Sequence, residues 1–180
     1  MSRIIVICGD LASGKSTLAD ALSYRLNISC FKKDEIKEKL VDKYGFNTRE
    51  ENRALSVKAV DFMFDALKRF LVAGQDIILE ANFRKEELDD IAKYSNEFNA
   101  DVCLFVLRGD IDVLYKRFLE RLPTRHKAHT SVHLEESKEK FEHYLMELRT
   151  DDYPIVPHII DITNLNEKEV LEKTLMYIKK

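Results

Sequence analysis

Short apolar runs alternate with helically spaced patterns along the whole chain. Residues 3–8 (RIIVIC), 28–31, 76–81, 101–107 and 158–162 are β-branched or aromatic stretches that read as buried strands. After the first run, Leu18, Ala19, Leu22 and Leu26 recur at helical spacing and predict a helix over 15–26. Further helices are predicted over 34–42, 49–73, 84–98, 111–122, 133–149 and 167–179. Val57, Val60, Phe64, Leu67 and Leu71 form the apolar stripe of the longest one, and Gly74 stops it. Tyr44 to Asn47 breaks the helix before it, Asp110 reads as an N-cap, and Pro123 to Thr130 is a polar, basic loop. This alternation, without repeats or linkers, predicts one α/β domain over 1–180, its parallel sheet covered by helices on both faces.

Composition narrows the classes. A chain of 180 residues buries roughly 70% of its unfolded surface and needs no metal or disulfide to fold. The net charge of −3 leaves no global basic field for duplex nucleic acid. Cys8, Cys30 and Cys103 are odd in number, lie in strand-like runs and form no C-x-x-C pair, so they read as free thiols of a reducing compartment. No stretch reaches 18 apolar residues, and the first apolar run is too short for a leader, so a cytoplasmic protein is expected.

In such sheets ligands gather at the carboxyl ends of the strands. The first strand runs into Gly9-Asp10-Leu11-Ala12-Ser13-Gly14-Lys15-Ser16, a G-x-x-x-x-G-K-S phosphate loop followed by a helix. Its glycines let the backbone turn tightly, and successive N–H groups form an anion nest at the positive end of that helix. Lys15 can reach the β- and γ-phosphates and the Ser16 hydroxyl can ligate Mg²⁺, while Thr17 completes the nucleotide-binding stretch.

Asp34 follows the second strand. It is either an acid in the first helical turn or a carboxylate that takes the proton of an acceptor hydroxyl. Glu80, Asn82 and Arg84 end the third strand, where a buried charge must be used or paired. They are candidate acceptor contacts, with a structural ion pair for Glu80 and helix capping for Asn82 as the plainer roles. Arg117 and Arg121 share a helix face, and Arg125 follows beyond Pro123. A ladder of arginines entering a loop suits a lid over about 121–133 that neutralises phosphoryl charge, the alternative being a solvated face. His126, His129 and His133 lack zinc spacing and are expected to be exposed polar residues.

The phosphate loop, Asp34, Glu80-Ala81-Asn82 and the 117/121/125 arginines together resemble the P-loop kinases of small substrates. The zeta-toxin, chloramphenicol phosphotransferase and phage polynucleotide kinase group is nearest. That resemblance implies a three-layer P-loop NTPase fold with sheet order 2-3-1-4-5, ATP with Mg²⁺, and Lys15 and Ser16 on the phosphates. It also implies Arg121 and Arg125 as catalytic lid contacts, Arg117 or Arg121 at the adenine, an adenine pocket lined by Asn164 and its neighbours, and Glu80 facing the acceptor. The expected activity is transfer of the ATP γ-phosphoryl to a hydroxyl of a small molecule, by a monomer or homodimer without membrane partners. Nucleic-acid 5′-hydroxyl kinase activity, with Arg53 in a local basic groove, ranks lower for want of aromatic–basic interleaving. A regulatory ATPase without an acceptor is the third reading; no N/T-K-x-D follows a late strand, which speaks against a GTPase.

Overall fold

The computed structural model describes residues 1–129, 131–150 and 152–178. Thr130, in the basic loop, and Lys179, in the last expected helix, lie outside the described residues. Five strands, β1 (Arg3–Gly9), β2 (Ser29–Lys32), β3 (Ile77–Glu80), β4 (Asp101–Arg108) and β5 (Pro157–Asp161), form one parallel sheet. Their order is β2-β3-β1-β4-β5, as the resemblance implies. Seven α-helices are described: α1 (Lys15–Leu26), α2 (Lys33–Tyr44), α3 (Arg49–Val72), α4 (Lys85–Phe98), α5 (Ile111–Arg121), α6 (Lys138–Leu148) and α7 (Glu167–Ile178).

Alternation along β1 sends side chains to two cores. Ile5 and Ile7 join Phe105 and Leu107 beneath α1, α5, α6 and α7. Ile4 and Val6 join Leu79 and Val106 beneath α3 and α4. Phe141 and Leu145 of α6 are fully buried, and Phe141 packs beside Phe118 with ring centroids 5.2 Å apart. Burial of each contributes roughly 1.5–3 kcal/mol and fixes where the end of α6 lies over the sheet.

The helix boundaries have local causes. Thr48 and Glu51 make a reciprocal capping box at the start of α3. Asp110 caps α5, its Oδ1 accepting from the N–H groups of Asp112 and Val113. Gly74, at φ 68°, ends the turn after α3.

Two expectations need correcting. The buried face of α3 is Leu55, Ala59, Met63, Leu67 and Leu71, whereas Val57 is more than half exposed. The helix packs against both α2 and the sheet, so its buried face does not follow the largest apolar residues. The helix expected over 133–149 is split into a 3₁₀ turn at Ser131–Glu135 and α6, because Ser137 caps a new start by accepting from Lys140 N–H.

Candidate active site

β1 delivers the phosphate loop against β4. Gly9 has φ 125°, and a Cβ there would stand 2.1 Å from Leu107 O, so only glycine fits. Gly14 (φ 87°) begins α1 without a side-chain cap, leaving the first N–H groups of the helix for a ligand. Lys15 folds back over its own loop and donates from Nζ to Gly9 O (3.2 Å) and Asp10 O (2.6 Å). Ser13 Oγ is buried and finds no partner among the described residues. An anion nest with a half-buried lysine and an orphan hydroxyl fits a nucleotide triphosphate.

Ser16 Oγ donates to Glu80 Oε2 at 3.1 Å, so the residue ending β3 meets the loop from the side. Burial pushes the Lys15 ammonium pKa down, opposed chiefly by Glu80 and then Asp34. Burial pushes the Glu80 carboxyl up; Lys15 opposes this and Asp34 adds to it. Glu80 is buried and Lys15 half-buried beside it, and their charges depend on each other. A hydroxyl and a carboxylate side by side also fit a hard divalent cation.

Asp34 lies in the first turn of α2, with its side chain 64% exposed. Its charge is felt at Lys15, Glu80, Lys37 and Arg125, so it sits where loop, sheet end and basic segment converge. His129 Nδ1 is 3.9 Å from Asp34 Oδ2, and its Nε2 is 2.7 Å from Glu38 Oε1.

Residues 125–129 dock onto α2 and α3. Ala128 is fully buried beside Leu40, Val41, Leu55 and Ala59. Its carbonyl accepts from Lys37 Nζ (2.9 Å) and Asn52 Nδ2 (3.2 Å). His126 Nε2 lies 3.2 Å from Asp42 Oδ1. The histidines therefore differ from expectation: the side chains of His126 and His129 are only 26% and 12% exposed, because each meets an acid of α2, while His133 is exposed. Arg125 lies over the Phe118 ring at 5.4 Å, and its buried Nη1 finds no partner among the described residues. Burial pushes its guanidinium pKa down, against the pull of Asp34.

These groups line one cavity of about 850 Å³. Of the residues singled out from sequence, Gly9 to Ser16, Asp34, Glu80, Asn82, Arg84, Arg121 and Arg125 line it. Thr17, Arg53 and Asn164 are exposed away from its lining, and Arg117 is half-buried on α5, also outside it. Sequence reasoning missed Lys37, His129 and Arg149. Lys37 stands one turn after Asp34, a spacing that could have drawn attention. Arg149 carries no local signal.

The sheet order and phosphate loop define a kinase-like P-loop nucleotide-binding fold. Residues 5–143 match the AAA_18 family, described as an AAA domain, and the chain belongs to that family. It is 26% identical over 171 residues to a cytidylate kinase of Sulfurisphaera tokodaii, covering 93% of this chain and 90% of the relative. Among solved structures, a candidate kinase of Chloroflexus aurantiacus superposes with TM-score 0.82 at 23% identity over 97% of both chains. The tunicamycin resistance protein of Deinococcus radiodurans gives 0.64 at 22%, covering 99% of this chain and 96% of its own. A gluconokinase of Sinorhizobium meliloti gives 0.63 at 14%, covering 97% and 90%. No described helix is long and apolar enough to cross a membrane.

Proposed function

We propose that this protein transfers the γ-phosphoryl group of ATP to a hydroxyl of a small molecule. The observation that carries this reading is the exposed Asp34 carboxylate, standing in the same cavity as the phosphate loop with its charge felt at Lys15. In this reading Lys15 and the loop N–H groups hold the donor phosphates. Asp34 accepts the hydroxyl proton as the acceptor oxygen forms its bond to phosphorus and the bond to ADP breaks. Arg121 and Arg125 offset charge on the phosphoryl oxygens, and residues 121–133 act as a lid that keeps water out. Asn82 and Arg84 contact the acceptor. Mg²⁺ would be held by Ser16 and Glu80, and when bound it neutralises the β- and γ-phosphate oxygens. The three free thiols support a reducing, cytoplasmic setting.

A second reading has its own support. The relative named cytidylate kinase phosphorylates a nucleotide, and Lys33, Lys37 and Arg84 bring positive charge to the cavity wall. A phosphate acceptor needs such cations and no general base. Asp34→Asn separates the readings. Assayed with Mg-ATP against panels of polyols, sugars and nucleoside monophosphates, an alcohol kinase loses about 10²–10⁴-fold in kcat with ATP binding kept. Transfer to a nucleoside monophosphate that survives the substitution would favour the second reading. If no acceptor in either panel is phosphorylated by the unaltered chain, the proposal is overturned in favour of a regulatory ATPase.

A further inference from the structure

An aspartate at the second position of a phosphate loop is electrostatically awkward. Asp10 is only 2% exposed, and its charge is felt at Lys15, the cation meant for the phosphates. A buried carboxylate there opposes an incoming triphosphate unless it is neutralised. The neutralising partner comes from 139 residues away. Arg149, immediately after α6, donates from Nε to Asp10 Oδ1 (3.1 Å) and from Nη2 to Oδ2 (2.6 Å). The same Nη2 donates to Gly109 O at 2.7 Å, and Gly109 N–H donates to Asp10 Oδ2 at 3.0 Å. Three backbone segments thus meet on one fork: the phosphate loop, the turn after β4 and the end of α6. The planar guanidinium suits this role, since an ammonium lacks the paired donors.

We infer that Arg149 is a positioning residue for the donor nucleotide, cancelling the Asp10 charge and fixing the phosphate loop so that a triphosphate can enter. The inference rests on the nucleotide-binding reading of the loop and is independent of the acceptor. Lost fold and lost charge cancellation differ in one respect: removing the Asp10 charge can repair only the second.

The test is isothermal titration calorimetry of the full chain with a non-hydrolysable ATP analogue and Mg²⁺. It compares the unaltered protein, Arg149→Met, Asp10→Asn and the double variant. The expected result is binding about tenfold or more weaker in Arg149→Met, recovering to within about threefold of the unaltered chain in the double variant. Unchanged binding in Arg149→Met overturns the inference, as does a double variant as weak as Arg149→Met. Should Arg149→Met fail to fold, Asp10→Asn against the double variant decides. Affinities within about threefold support charge cancellation, while a larger loss or a double variant that also fails to fold overturns it. No binding by the unaltered chain would remove this inference together with the phosphate-loop reading, a result that none of the variant comparisons can mimic.

Discussion

Ser16 and Glu80 are joined by one hydrogen bond, Oγ to Oε2 at 3.1 Å, between residues 64 positions apart. The bond sets the start of α1 against the end of β3 and keeps the Glu80 carboxylate beside Lys15. Burial raises the Glu80 carboxyl above the ordinary glutamate range, so it takes up a proton earlier on acidification than a free glutamate would. Protonated, it can no longer serve a cation. At limiting Mg²⁺, where the metal-free carboxyl must be ionised to bind the cation, turnover should therefore fall with decreasing pH through a point above the usual glutamate value of about 4.3. Glu80→Gln should cost about 10²–10³-fold at neutral pH and erase that acid limb. Rate–pH profiles of the two proteins check this, and an unchanged limb in the variant would exclude Glu80 as its source.

Gly9 and Gly14 answer different needs, and alanine should separate them. At Gly9 a Cβ meets the Leu107 backbone, so Gly9→Ala should lose more than about 2 kcal/mol of stability in urea unfolding. At Gly14 no atom lies within 4 Å of an added Cβ, and only the positive φ is strained. Gly14→Ala should cost about 1–2 kcal/mol. Equal losses at the two positions would show that the contact with β4 is not what limits Gly9.

Cysteine chemistry offers a test of burial. The Cys8 and Cys30 thiols are each pushed up to about 12 by desolvation, and Cys103 is raised as well. At pH 8 the first two carry roughly a thousandth of the thiolate of an ordinary cysteine. A thiol-specific chromogenic disulfide should label the native chain slowly and all three cysteines promptly after denaturation. Rapid labelling of the folded protein would place these residues closer to solvent.

The hold on residues 125–129 can be probed by proteolysis. A buried hydrogen bond from a charged donor contributes about 1.5–3 kcal/mol. Lys37→Met together with Asn52→Leu should thus raise the open population of this segment about tenfold or more. Trypsin should then cut after Arg125 or Lys127 correspondingly faster, with circular dichroism unchanged. Cleavage at the original rate would mean that the Ala128 carbonyl contributes little to docking.

Much of this arrangement was legible because local chemistry dictates it. The run from Arg3 to Ser16 specifies strand, turn and helix within fourteen residues, and the short apolar runs and period-3.6 patterns place the remaining elements near their observed bounds. What escaped depends on distant partners. His129 reads as an exposed polar residue until Glu38 is brought 2.7 Å away. Arg149 is an ordinary end-of-helix cation until the fold delivers Asp10 to it. Val57 has the apolarity of a core residue, but α3 turns it outward because α2 and the sheet claim other faces. Pairing across the chain has no period, so periodicity cannot reveal it.

The contact that seats Ala128 has a consequence for how such a protein can diverge. Its acceptor is a peptide carbonyl, which every residue possesses, so substitution at position 128 can alter the fit but cannot delete the oxygen. The adjustable parts are the donors Lys37 and Asn52 and the apolar neighbours on α2 and α3. Lys37 also lines the cavity, so one side chain both seats this segment and contributes charge to the site, and its replacement alters the two together.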